Sequence, residues 1–291
     1  MNIIQQAISI AIEDSPTTLI REILKRLNLH GGLYLFLVYW SHRLTGHTTV
    51  YKNVLGSKMK LDISHSGVHS DLFLCGIREV TATQYFSKIL TGDMAVVDIG
   101  ANIGYYALQE AKVCKQVYAI EPAPGNYARL VENINLNNYT NITTHNLAVG
   151  DKKGEVKFSL SPVPNWHRVA IGDSKNNITV PITTLDEFIG GKRVDIVRMD
   201  VEGYELNILK GMEETLRKNS LWLFIETHKE LIEQYGGSLR DLYEILAQHN
   251  FKLEYSIIKG RPSITGYIKD LINDKRLYQG LGSWLFLKRG T

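Results

Sequence analysis

The stretch Val96-Val97-Asp98-Ile99-Gly100-Ala101-Asn102-Ile103-Gly104-Tyr105-Tyr106 constrains the fold of this chain more than any other. Ala95, Val96, Val97 and Ile99 are apolar and mostly β-branched, as a short parallel strand covered on both faces requires. Gly100 and Gly104 let the backbone turn sharply and pass close to a ligand. From Ile103 onward Ala107, Leu108 and Ala111 recur at helical spacing, so a helix begins there. A strand, a glycine turn and a helix together make a ligand cradle, because amides at a helix N-terminus point into the crevice at the carboxyl edge of the sheet.

The glycine spacing discriminates between cofactors. A dinucleotide-binding turn reads G-x-G-x-x-G, whereas this one reads Asp98-x-Gly100-x-Asn102-x-Gly104. It resembles the D/E-x-G-x-G-x-G turn of class I S-adenosylmethionine (SAM) methyltransferases, with Asn102 at the middle glycine. Asn is among the few residues that tolerate positive φ. Asp98 fits no apolar pattern and suits the methionine amino group of SAM; as plain structure it would be a capping residue. Gln116–Ile120 reads as the second strand and runs into Glu121-Pro122. An acid at that position accepts ribose hydroxyls, and the proline stops the strand. The ribose rule serves a nicotinamide dinucleotide as well as SAM, and a surface Glu before a Pro turn is the ordinary structural reading.

A chain of 291 residues has room for one large α/β domain with additions or for two small ones. The formal net charge of +3 is too small to argue for nucleic acid. Cys75 and Cys114 form no metal spacing and no Cys/His cluster suggests zinc, so no metal is expected and a reducing cytoplasm is the default location. Residues 1–45 read as a helical extension. Ile3, Ile4, Ala7, Ile8 and Ala11 share one helical face, Asp14-Ser15-Pro16 breaks it, and Leu19, Ile20, Ile23, Leu24 and Leu27 form a second stripe. Leu33–Trp40 is far short of the roughly 20 apolar residues a bilayer span needs, and it lacks the features of a signal peptide. The extension suits a packed lid, a homo-oligomer contact or peripheral contact with a membrane surface. Residues 46–291 are expected to form the main domain.

Along that domain, Thr48–Leu55 and Lys58–Ile63 read as a hairpin, Arg78–Leu90 as a helix, Asn126–Leu136 as a helix, and Asn141–Val149 as the third strand. A short strand over Glu155–Leu160 precedes the turn-rich loop Ser161–His167, which is long enough to reach over a pocket. Val194–Asp200 is the fourth strand and enters a loop carrying Asp200, Glu202 and Glu205 around Gly203. Leu221–Ile225 is the fifth strand and ends in Glu226-Thr227-His228. Leu239–His249 is helical, and Phe251–Ile258 and Ser283–Leu287 are late strands that suggest an antiparallel addition. The alternation argues an α/β fold, a doubly wound, mostly parallel sheet.

These residues look like an FkbM-type methyltransferase. The resemblance rests on Val97–Tyr106, Ala119–Pro122, Asn146–Gly150, Leu185-Asp186 and Met199–Glu205, and includes Gly76-Ile-Arg-Glu79, similar to a G-x-x-E segment upstream of the glycine turn. It covers about residues 66 to 230. It implies a class I SAM-dependent fold, SAM as cofactor, and O-methylation of a hydroxyl on a sugar or other small molecule. It also implies that Asp98, Gly100, Asn102 and Gly104 hold the methionine end of SAM, that Glu121 holds the ribose, and that Asn146 and Ala148 border the adenine, with Glu79 approaching the cofactor. The family often carries Lys two residues before the strand-ending Asp; here it is Arg198, which stays protonated and cannot serve as a base.

A hydroxyl acceptor needs a base, since SAM supplies the electrophile. His228 and Asp200 are the candidate catalytic residues, both just past core strands; Glu205 reads as a capping or loop-locking residue. A divalent metal on Asp200, Glu226 and His228 is not expected. Two other functions keep the same fold: a nicotinamide-dependent dehydrogenase, which calls for the missing G-x-G-x-x-G, and a non-catalytic binding module, which calls for damage to a turn that is intact.

Overall fold

The structure is a computed structural model that describes residues 37, 40–41, 44–64, 67–161, 166–218, 220–257, 264–278 and 283–290. The helical stripes expected within residues 1–36 lie outside the described residues.

The domain opens with the hairpin β1 (Thr49–Val54) and β2 (Ser57–Asp62), then helices α1 (Val68–Cys75) and α2 (Val80–Ile89). The sequence reading names no helix over 68–75. The core alternates β3 (Ala95–Ile99), α3 (Tyr105–Ala111), β4 (Gln116–Ile120), α4 (Pro124–Asn135) and β5 (Ile142–His145). Pro124 stands in the first turn of α4, where its missing N–H and fixed φ are favourable. Next come β6 (Ala148–Gly150), β7 (Gly154–Ser159), β8 (Arg168–Val169), β9 (Asn177–Thr184) and α5 (Leu185–Ile189). The chain continues through β10 (Ile196–Met199), α6 (Glu205–Lys210), α7 (Glu213–Leu216), β11 (Trp222–Thr227), α8 (Lys229–Gln234), α9 (Leu239–Gln248), β12 (Phe251–Ile257), β13 (Gly266–Tyr267), α10 (Ile268–Leu271) and β14 (Ser283–Arg289).

The eight-stranded sheet has the order β13-β12-β14-β11-β10-β3-β4-β5. The strands from β11 to β5 are parallel, and β14 is antiparallel between β11 and β12, as the late strands suggested. Every residue of β3 and β10 is buried, as central strands covered on both faces must be. Their alternate side chains feed two cores. Val97, Ile99, Val197 and Met199 pack with α6 and α9, while Val96 and Ile196 pack with α2 and α3. The α9 stripe Leu239, Leu242, Tyr243 and Leu246 is buried at helical spacing, and the Ser238 hydroxyl caps it by accepting from the Asp241 amide at 3.2 Å.

One strand departs from expectation. Asn141–Val149 is two strands in two sheets, because the Asn146 side chain donates to the carbonyls of Glu121 (2.8 Å) and Pro122 (3.1 Å) and turns the chain away at the end of β4. The diverted β6 begins a separate four-stranded sheet of order β6-β9-β7-β8. The sequence reading names no strand over 177–184, where Pro181 interrupts the strand pattern. Among the described residues no helix is long and apolar enough to cross a membrane.

Candidate active site

Chain order reverses between β3 and β10: β3 leads outward to β4 and β5, β10 to β11. The crevice at such a point, beyond the carboxyl ends of the strands, is where α/β folds place ligands. A cavity of about 330 Å³ lies there. Gly100, Asn102, Glu121, Asp200, Glu202, Glu226 and His228 line it, each delivered by the end of β3, β4, β10 or β11.

The turn after β3 is held by its own backbone. The amides of Gly100 (2.9 Å) and Ala101 (3.0 Å) both donate to the Ile120 carbonyl. Gly100 has φ +81°, and a Cβ there would fall 2.1 Å from the Asp200 carbonyl oxygen, so only glycine lets β10 pass this close. Asn102 adopts φ +52°, as its identity anticipates; its amide donates to Glu121 Oε2 at 2.9 Å, and its own Oδ1 is buried with no partner among the described residues. Glu121 Oε1 accepts from the Ala123 amide at 2.9 Å. Burial raises the Glu121 carboxyl to about 7, against the pull of these two N–H donors.

Some expected cofactor residues stand elsewhere. Asp98 does not face the cavity. It lies opposite Arg198 in the ladder, is fully buried, and accepts from Arg198 Nη1 at 2.7 Å. The Arg198 guanidinium in turn lies 3.9 Å from the centre of the Tyr106 ring. Gly104 packs under α4, where a Cβ would meet Leu130 at 2.8 Å, and does not line the cavity. Glu79, at φ +48°, binds Arg78 Nε and the Tyr106 hydroxyl, both at 2.9 Å, and it is Arg78 that lines the cavity. Asn146 is spent on the Glu121 and Pro122 carbonyls just past β4, while its neighbours Leu147, Ala148 and Val149 line the cavity.

The acidic loop and the end of β11 converge on one imidazole. His228 Nδ1 lies 2.8 Å from Glu205 Oε1, and its Nε2 lies 3.7 Å from Glu202 and 3.9 Å from Glu226. Glu205 is fully buried and also accepts from the Gly203 amide at 3.1 Å, so it locks the loop to the histidine. Burial alone would pull His228 down, but the hydrogen bond and charge of Glu205, with the charges of Asp200 and Glu202, hold it at about 10. At neutral pH it is therefore an imidazolium. Burial, reinforced by Asp200, raises Glu226 to about 9; burial, opposed by His228 and reinforced by Asp200, raises Glu202 to about 7. One ligand atom each from Asp200, Glu226 and His228 lies within 4.8 Å of the others, a spacing that could close on a divalent ion. The imidazolium already supplies positive charge at that point.

Phe158, Trp166, Val169 and Tyr204 also line the cavity, and the sequence reading gives none of them a role. Tyr204 lies within the Met199–Glu205 block, whereas no motif announces Phe158, Trp166 or Val169, which arrive with the small sheet and the loop between β7 and β8. His167, at the end of the turn-rich loop, does reach the cavity, with Nδ1 accepting from the Ser161 amide at 2.9 Å and burial lowering its pKa.

Residues 98–253 match the profile of the methyltransferase FkbM domain. Hexuronic acid methyltransferase AglP of Haloferax volcanii is 28% identical over 170 residues, covering 56% of this chain and 65% of that protein. 2-O-methyltransferase NoeI of Sinorhizobium fredii is 28% identical over 194 residues, covering 57% of this chain and 78% of that protein. The solved methyltransferase FkbM from Methylobacillus flagellatus aligns with a TM-score of 0.43 and 19% identity, over 70% of this chain and 47% of that one.

Proposed function

The chain belongs to the methyltransferase FkbM family, and from that premise we propose that it transfers the methyl group of SAM to a hydroxyl on a sugar or other small molecule. The observation that carries this reading is one cavity bringing together Asn102, Glu121 and Asp200 from the carboxyl ends of three adjacent strands. The hexuronic acid named for one relative and the 2-O-methylation named for another support a carbohydrate hydroxyl as acceptor.

The residues present fit the cofactor. Each Glu121 oxygen takes one backbone N–H and, as a carboxylate oxygen, keeps a further lone pair for a ribose hydroxyl. The unpartnered Oδ1 of Asn102 offers another acceptor at the same wall. Ala148 and its neighbours give an apolar surface against which a base can lie. When bound, SAM supplies an electrophilic methyl group on a sulfonium.

What remains for the protein is alignment and one proton. Asp200, fixed through its amide to the Ile99 carbonyl at 3.2 Å, is the carboxylate that takes the proton from the acceptor oxygen. His228, held as the imidazolium by Glu205, balances the negative charge of the cluster and keeps the Glu202 and Glu226 side chains in place. Asp98 acts from behind, by fixing the Arg198 guanidinium whose Nη2 lies 3.5 Å from Asp200.

Calorimetric titration with SAM and with NAD, followed by a methyl-label screen of hydroxylated acceptors, tests the reading. SAM should bind and NAD should not, and label should appear on a hydroxyl. Binding of NAD alone, or SAM binding with label on nitrogen or carbon acceptors only, would overturn it.

A further inference from the structure

Strands β7 and β8 form a short antiparallel ribbon with two unlike faces. Phe158 pairs with Val169 and Ser159 pairs with Arg168. Successive residues of a strand point to opposite sides, so one face carries Phe158 and Val169 and the other Ser159 and Arg168. The apolar pair lines the cavity already described. The polar pair lines a second cavity, of about 420 Å³, whose other walls include Ser161, Trp166, Asn176 and Glu202. Trp166 and Glu202 line both. The two cavities thus adjoin at Glu202, next to the acid–histidine cluster, and the ribbon is the partition between them.

The walls of the second cavity differ in kind from those of the first. Trp166 is 62% exposed and presents a large ring at the mouth, the amphipathic surface against which a sugar ring packs. Ser159, Ser161 and Asn176 bring hydroxyl and amide groups that match sugar hydroxyls. Arg168 is the sole cationic side chain lining this cavity among the described residues, and the one acid in the same wall, Glu202, feels its charge with no close ion pair between them among the described residues. A planar fork of donors in a cavity is suited to an oxyanion.

We propose that the second cavity seats the methyl acceptor and that Arg168 selects a sugar bearing an oxyanion, a carboxylate or a sulfate, away from the hydroxyl to be methylated. The proposal rests on the methyl-transfer reading above.

The test is calorimetry on the full chain loaded with S-adenosylhomocysteine, using methyl glucuronide, methyl glucoside 6-sulfate and methyl glucoside as probes. At least one anionic glycoside should bind about tenfold or more tightly than the neutral one, and the ranking of the two names the anion. Arg168→Gln should bring the anionic glycosides to the neutral level with S-adenosylhomocysteine affinity unchanged. In the unaltered protein the preference should shrink as salt is added, a readout that needs no variant. Equal binding of all three probes, a preference that survives Arg168→Gln, or no glycoside binding to the loaded protein would each overturn the proposal. Failure of S-adenosylhomocysteine itself to bind would instead overturn the reading on which it rests.

Discussion

Two constellations of acids and bases stand side by side at the carboxyl end of the same short strand, β10. One is Asp98 with Arg198, fully buried among aromatic rings. The other is Asp200, Glu202, Glu226 and His228, at the carboxyl edge and open to a cavity. The residue types barely differ. In the first, a cation is matched to a carboxylate at 2.7 Å in a dry core, and it reaches the second through Arg198 Nη2, 3.5 Å from Asp200. In the second, an imidazolium bound to Glu205 at 2.8 Å stands 3.7 to 3.9 Å from Glu202 and Glu226, both on the cavity wall. Only Met199 separates Arg198 from Asp200, and that step takes the chain from the buried pair to the cavity wall.

The comparison breaks if the edge cluster is inert. Asp200→Asn should lower methyl-transfer turnover by about 10²–10⁴, the range for loss of a general base, while the melting temperature stays near that of the parent. Normal turnover in this variant would remove Asp200 from the chemistry and leave His167 as the next residue to examine. The buried pair should respond in the opposite way. Arg198→Met leaves the Asp98 carboxylate in the core without its cation and should cost about 3–5 kcal/mol of stability in denaturant unfolding. Asp98→Asn added to it should recover part of that loss. If Arg198→Met unfolds like the parent, the pair is not what holds β3 to β10.

Glu121 lies between these extremes, buried but on the cavity wall. Glu121→Ala should weaken SAM binding by about 1.5–3 kcal/mol, the scale of charge-assisted hydrogen bonds, as read by calorimetry. Its carboxyl titrates at about 7 because of burial, so acidification adds a proton and removes acceptor capacity. SAM affinity should therefore be flat in alkali and fall as pH drops through 7, by up to about tenfold per unit. Glu121→Gln should abolish that slope, and a slope that persists in it belongs to another group. The smallest effect expected is that of a chelator. With His228 as the imidazolium the cluster holds its own cation, so EDTA should leave turnover unchanged; a loss restored by one added divalent ion would reassign Asp200, Glu226 and His228 as its ligands.

The central strands were legible because burial on both faces writes an apolar run, as in Val96-Val97-Asp98-Ile99, and because a glycine turn follows. Glu121 was legible for a similar reason, since the proline after it stops the strand and leaves the acid at the carboxyl edge of the sheet. The true environment of Asp98 was not. Nothing in a linear pattern says which residue of a distant strand lies opposite, and Arg198 is a hundred positions away. The split of Asn141–Val149 was hidden too, because it depends on where the Asn146 side chain finds its acceptors. His228 does stand at the end of a strand, yet its protonation depends on Glu205, which the sequence presents only as a loop acid. Arg168 and Trp166 belong to no motif and gain their meaning from the partition they help to build.

The contact between Gly100 and the Asp200 carbonyl has a consequence for anyone redesigning this protein. A Cβ at position 100 would stand 2.1 Å from that oxygen, so the turn after β3 rests directly on the strand end that bears Asp200, the base proposed above. On the proposed mechanism, the donor and acceptor halves of the reaction are gauged from one mechanical stop, made of main chain and indifferent to which side chains surround it. Replacing the small sheet leaves that gauge untouched. Altering Gly100 shifts both halves at once, whatever the substrate.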